Sequence, residues 1–180
     1  MKIRLGYACI TNCLDSTSSS PYTYGEYLKY GDMEKLDRVI VSNLKSLEEI
    51  IYYNIKNNIH FYRMSSKIIP LATKSDVKFD YINKYKSYYD KIGKMISDYD
   101  MRVDFHPDQF CVLNSVKSDV VSASIDILKY HYSLLEALGI KNKILVLHVG
   151  SNSFGKDNSI RRFINNFNKL PKYLKECIAI

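Results

Sequence analysis

The sequence predicts an α/β fold made of the first four to five βα units of a closed eight-stranded (β/α)8 barrel. Short β-rich runs alternate with longer segments of helical period in four full units, the sequence form of consecutive βαβ crossovers. Parallel strands joined in this way must be covered on both faces, which leaves an open doubly wound sheet or a closed barrel. The glycine pattern favours the barrel. A dinucleotide-binding open sheet carries GxGxxG after its first strand; here GYACITNC stands in that place, with no Walker-type phosphate loop elsewhere. A closed barrel takes ~250 residues, so residues 1–180 are expected to be about half of one barrel domain.

The first strand is predicted at Ile3 to Tyr7. Met33, Leu36, Ile40, Leu44, Leu47 and Ile51 then recur every three or four residues as one helix face. His60 to Ser65 reads as the second strand, and Tyr81, Tyr85, Tyr88, Ile92, Met95 and Tyr99 as the second helical stripe. Arg102 to His106 is the third strand. Ser118 is the expected N-cap of a third helix whose apolar face includes Ile125, Leu128, Tyr132 and Leu135, with Gly139 suited to the left-handed position past its end. Ile144 to Val149 is the fourth strand, followed by a helix through Ile160, Phe163, Ile164, Phe167 and Leu170 that Pro171 interrupts. Another apolar run begins at Cys177, a fifth strand cut short at Ile180. The Tyr-, Asn- and Ser-rich connection from Asn12 to Asp32 is long for a βα loop, as a substrate-contacting loop or a surface excursion can be.

Composition bounds the function more loosely. No stretch approaches the ~20 apolar residues of a membrane helix, and the N-terminal residues lack an apolar leader, so a soluble, intracellular protein of cytoplasm or nucleus with no membrane partner is expected. Cys9, Cys13, Cys111 and Cys177 match neither a CxxC pair nor a dense disulfide framework and read as reduced thiols. The net charge of +7 permits attraction to a polyanion. It does not establish one, because lysines outnumber arginines 20 to 6 in a chain also rich in Asn, Ile and Tyr, the mark of a coding bias.

The chemically distinctive residues fall at the C-terminal ends of the predicted strands, the face on which barrel enzymes assemble their sites. Tyr7 ends the first, Arg63 to Ser66 the second, His106 the third and His148 the fourth. Alternation turns Val103 and Phe105 toward the helices and Arg102, Asp104 and His106 inward, and likewise leaves His148 inward on the next strand. Two imidazoles at neighbouring strand ends can approach a divalent metal ion. Asp104, a layer deeper, reads as a partner of Arg102, while His60 and His131 read as structural.

These residues carry a resemblance. IRLGY, YRMSSKIIPLAT, HPDQFCVLNS, LKYHYSLLEALG, LVLHVG and FGKDNSIRRFINNFNKLP resemble, in order and spacing, the motifs of UV-damage endonucleases along nearly the whole chain. The resemblance implies a TIM barrel of the endonuclease IV/xylose isomerase-like kind that holds divalent metal ions, manganese foremost. It implies hydrolysis of the DNA backbone immediately 5′ to UV photoproducts in double-stranded DNA. Carried over by motif, His106 and His148 match metal ligands, Gln109 and Phe110 the pair that probes the lesion, and Tyr7 a lesion- or backbone-contacting tyrosine. Arg63 and Ser65 fall in a signature near the DNA-facing mouth.

The family often has tyrosine where Phe110 stands, and one branch has histidine where Lys67 stands. Past a strand like CIAI the family supplies bridging carboxylates, so the chain is expected to be a truncated, inactive portion of a protein that is monomeric when complete. Two other functions fit the same residues: an abasic-site endonuclease, or a non-catalytic DNA-binding fragment of such a barrel.

Overall fold

The computed structural model describes residues 3–180. Five parallel strands form one sheet in sequential order: β1 (Gly6–Ala8), β2 (Phe61–Met64), β3 (Arg102–Phe105), β4 (Leu145–Val146) and β5 (Ile178–Ala179). Each pairs with the next in parallel, with Tyr7 beside Tyr62, Arg63 beside Asp104, Phe105 beside Leu145 and Val146 beside Ala179. Sequential order lacks the reversal that marks an open doubly wound sheet.

The connecting helices are α1 (Tyr24–Tyr30), α2 (Met33–Lys56), α3 (Tyr81–Lys84), α4 (Lys86–Asp98), α5 (Ser118–Ala137), α6 (Lys156–Asn168) and α7 (Lys172–Cys177). Alternation along the strands decides which sheet face they cover. Tyr62, Met64, Val103, Phe105, Leu145 and Leu147 are buried in the core shared with the helices, and the Phe105 ring lies 4.8 Å from His131 of α5. The alternate residues Phe61, Arg63, Arg102 and Val146 line the helix-free face and stay at least partly exposed.

α2 buries the predicted stripe at Leu36, Ile40, Leu44, Leu47 and Ile51, and Asp32 caps it by accepting the Lys35 N–H. Asn43 and Asn54 lie on that same buried face. Asn43 accepts the Ser20 N–H at 2.8 Å and donates to the carbonyls of Ser20 and Ile68, tying the long first connection to the one after β2. That first connection holds α1, started by a Thr23/Glu26 capping box and ended by Gly31 at φ 61.

Several expected elements differ. The first strand is confined to Gly6–Ala8, with Ile3 and Leu5 exposed. The second helical segment is broken at Tyr85, which ends α3 and begins α4, so the buried stripe runs through Tyr85, Tyr89, Ile92 and Ile96. Tyr88, Met95 and Tyr99 are only partly buried, because the phase set from Tyr85 turns Tyr89, Ile92 and Ile96 to the core instead. Ser118 begins α5 but does not cap it; Lys117 holds the cap position without a side-chain bond, and Ser115 accepts its N–H. Gly139 adopts φ 67 as expected. Pro171 precedes α7 rather than only ending α6.

Candidate functional site at the C-terminal strand ends

The side chains that follow β3 and β4 meet. His106 and His148 bring their Nε2 atoms to 2.9 Å, with the rings inclined by 62° and their centres 4.6 Å apart. The carbonyl oxygen of Pro107 lies 2.7 Å from His106 Nδ1 and can only accept, so Nδ1 carries the proton and Nε2 presents a lone pair. His106 is half-buried and His148 exposed, so the pair opens to solvent. Sequence alternation placed both histidines on this face, and the structure brings them together.

The loop after β3 is shaped by Asp108, whose Oδ1 accepts the Phe110 N–H at 2.9 Å and whose carbonyl accepts that of Cys111. Gln109 and Phe110 consequently stand at the loop tip, both exposed, the phenyl ring to 69 %. Cys111 anchors the return of the loop; burial pushes its thiol up to about 12, which keeps it protonated and inert.

Asn114, fully buried, ties this loop to the one after β4. Its amide donates to the Ser151 carbonyl at 2.7 Å and accepts the Ser151 N–H at 2.9 Å. Arg162 from α6 donates to the carbonyls of Asn114 and Ser153 at 2.8 and 2.6 Å, and Ser159 donates to the Ser151 carbonyl. Gly150 makes this approach possible: at φ 92, a Cβ there would stand 2.6 Å from Asn114 Oδ1. Sequence reasoning missed Asn114 and Arg162, since a buried asparagine in a loop has no periodic signature.

Arg63 and Ser65 follow a different pattern. Arg63 makes a two-pronged ion pair with buried Asp104, Nε to Oδ1 at 2.8 Å and Nη2 to Oδ2 at 3.3 Å, so Asp104 pairs with Arg63 and not with Arg102 as expected. The reason is register: parallel pairing places Arg63 directly beside Asp104 and Arg102 beside Phe61. The bond to Asp104 holds the Arg63 guanidinium above its ordinary range. Arg63 and Arg102 both lie over the Phe61 ring, 5.9 and 5.8 Å from its centre. Ser65 is buried and its hydroxyl accepts the Lys67 N–H, shaping the turn after β2.

Tyr7 lies apart from this group. Its ring stands 5.1 Å from Tyr62, and its hydroxyl donates to Asn54 of α2 at 2.8 Å, on the helix side of the sheet; burial raises its pKa. His60 stacks on Tyr99, and His131 is buried within α5. Among the described residues, no group of three or more His, Cys, Asp or Glu side chains could hold a metal ion, and no helix is long and apolar enough to cross a membrane.

UV DNA damage endonucleases of Bacillus cereus and Bacillus mycoides are 36 % and 37 % identical over 185 aligned positions, covering 100 % of this chain and 58 % of each relative. The crystal structure of SacUVDE superposes with a TM-score of 0.91 at 36 % identity, over 99 % of this chain and 60 % of that one. The chain thus spans less than two thirds of these relatives' length. Residues 3–180 match UV-endonuclease UvdE, and with 36 % identity along the whole chain and the same arrangement of strands, this chain belongs to the UV-endonuclease UvdE family.

Proposed function

We propose that residues 1–180 are the first four to five βα units of a TIM barrel. We further propose that the protein carrying them is an intracellular DNA-repair endonuclease that hydrolyses the phosphodiester immediately 5′ to UV photoproducts in double-stranded DNA. The observation that carries this reading is the meeting of His106 and His148 at 2.9 Å on the strand ends, beside the exposed Gln109–Phe110 tip, in a chain of this family.

The donor chemistry fits a divalent ion. Neutral imidazole nitrogen suits manganese, zinc or iron, and two lone pairs this close require a proton or a cation between them. His106 and His148 would hold the ion as two donors of a larger set. A divalent ion, manganese in this proposal, supplies a water of lowered pKa and charge stabilisation at the cleaved phosphate. Pro107 fixes the tautomer that keeps His106 Nε2 free.

Gln109 and Phe110 would act on the DNA itself. A damaged base pair must be distorted or opened for inspection, and an aromatic wedge replaces the stacking lost. The exposed Phe110 ring has the shape for that, and Gln109 can hydrogen-bond to base edges. Arg63 and Ser65 would support the mouth through Asp104 and the turn at Lys67, and Tyr7 would set the height of the β1 loop through Asn54.

The test is nicking of a UV-irradiated duplex, with and without manganese, by the complete protein carrying these residues, beside a duplex with an abasic site. Manganese-dependent nicks 5′ to photoproducts are expected. Preference for the abasic site would favour an abasic-site endonuclease, and binding without cleavage a non-catalytic module. Replacing Gln109 and Phe110 together with Ala is expected to weaken discrimination between damaged and intact duplex more than affinity for either, because phosphate contacts set the latter. Equal loss on both duplexes would count against a probing tip.

A further inference from the structure

The loop after β4 displays another phenyl ring, which the reading above leaves without a task. Phe154 lies six residues beyond His148 and is 76 % exposed. Its backbone is in the left-handed region, φ 61, which residues with a bulky side chain occupy only at a cost. An exposed ring recovers none of that cost through burial.

The turn nevertheless holds it there with many bonds. Asn158 donates to the Phe154 carbonyl at 2.9 Å, the Gly155 N–H bonds Asn152, and Arg162 donates to the Ser153 carbonyl. Ser151 accepts the Ser153 N–H at 3.1 Å. Backbone strain that its surroundings over-determine gathers where function uses it.

Phe154 also has a counterpart. Phe110 stands four residues after His106 as Phe154 stands six after His148, and both rings are exposed. The two loops are locked in register by the double hydrogen bond between Asn114 and Ser151. Each histidine loop thus carries one outward phenyl ring, and Lys156 at the start of α6 is exposed two residues beyond the second.

We propose that Phe154 is a second base-stacking residue, which packs its ring on an unpaired or extruded nucleobase of the DNA that lies across the histidine pair. This rests on the DNA-directed reading given above. Stacking suits the site because every nucleobase offers a π-face, so an exposed ring on a rigid loop gains contact without ordering cost.

The chain has no tryptophan, so Phe154→Trp introduces a unique fluorophore. Titration with single-stranded oligonucleotide and with UV-irradiated duplex, while binding is followed by anisotropy of labelled DNA, is expected to quench the indole in step with binding. Tyr52→Trp, near the end of α2 and away from the strand ends, is expected to stay unquenched. Phe154→Gly relieves the left-handed backbone, so its urea midpoint should equal or exceed that of the parent while its dissociation constant for the damaged duplex rises about tenfold.

Binding with unchanged Phe154→Trp emission, or parent-like binding by Phe154→Gly, would overturn the stacking role and leave the DNA-directed reading intact. A lower midpoint for Phe154→Gly would make the ring a structural anchor and overturn it as well. Absence of any anisotropy change with the complete protein carrying these residues would sink both readings together.

Discussion

The two nitrogens of the histidine pair set the chemistry at the finest scale. With His106 Nδ1 committed to Pro107, its Nε2 can only accept, so without a cation His148 must donate across the 2.9 Å gap. A metal ion held there would take the place of that proton, and removing either ring would leave one donor. His106→Ala and His148→Ala are each expected to lower manganese affinity beyond the 10–100-fold typical of outer-shell changes, with circular dichroism unchanged because neither ring belongs to the buried core. Calorimetry showing parent-like manganese uptake in both variants would remove them from the ligand set. A different histidine contributes to the pH dependence of stability. Burial pushes His131 down to about 4, from the ordinary 6.5 of an unfolded chain. The unfolded chain therefore takes up a proton below pH ~6.5 that the folded chain refuses, and stability falls as pH drops from there to ~4, by roughly 3 kcal/mol in total. Below that the group contributes no further loss. Urea midpoints of His131→Gln should fall less steeply between pH 7 and 5 than those of the parent; identical slopes would show that another group carries the acid limb.

At the scale of elements, the loops are made rigid by groups that sequence patterns do not announce. Strand and helix order were legible because alternation and the 3.6 period write themselves into hydrophobic spacing, as at Leu36, Ile40, Leu44 and Leu47. The stripe after β2 was misplaced because Tyr81, Tyr85, Tyr88 and Tyr89 fit several helical phases, and only the break at Tyr85 selects one. Both histidines were legible from strand parity, whereas the pairing of Asp104 required the register between β2 and β3. Asn43 and Asn54 had a usable signal, a polar residue on an apolar helix face. Asn114 had none, since its partners lie in a loop 37 residues away. Asn114→Ala would leave the Ser151 N–H without its partner and the Ser151 carbonyl with Ser159 alone, and is expected to cost roughly 2 kcal/mol. Hydrogen exchange should show the loss concentrated between residues 148 and 154, together with faster proteolysis there. Uniform loosening of the whole sheet would mean that Asn114 supports the core and not the two loops.

At the largest scale, the five described strands form one sheet in sequential order. Among the described residues β1 pairs only with β2 and β5 only with β4, and the side chains of Ile3, Leu5 and Ile180 are 88 %, 79 % and 73 % exposed near those edges. Unpaired parallel edges with apolar flanks are templates for another chain. The net charge of +7 opposes association at low salt, and screening at high salt removes that opposition. The 180 residues by themselves are therefore expected to self-associate, more so as salt rises, with a sedimentation coefficient that increases with concentration. Leu5→Lys and Ile180→Lys together should return the chain toward monomer by placing charge on both edges. The same preparation is expected to leave UV-irradiated duplex uncut, because the described residues add no third His, Cys, Asp or Glu to the two imidazoles, and two such donors hold a divalent ion weakly. A monodisperse monomer across the concentration and salt series would show that the edges are sterically protected, and nicking beside photoproducts by that monomer would show that the chemistry needs less of the barrel than proposed.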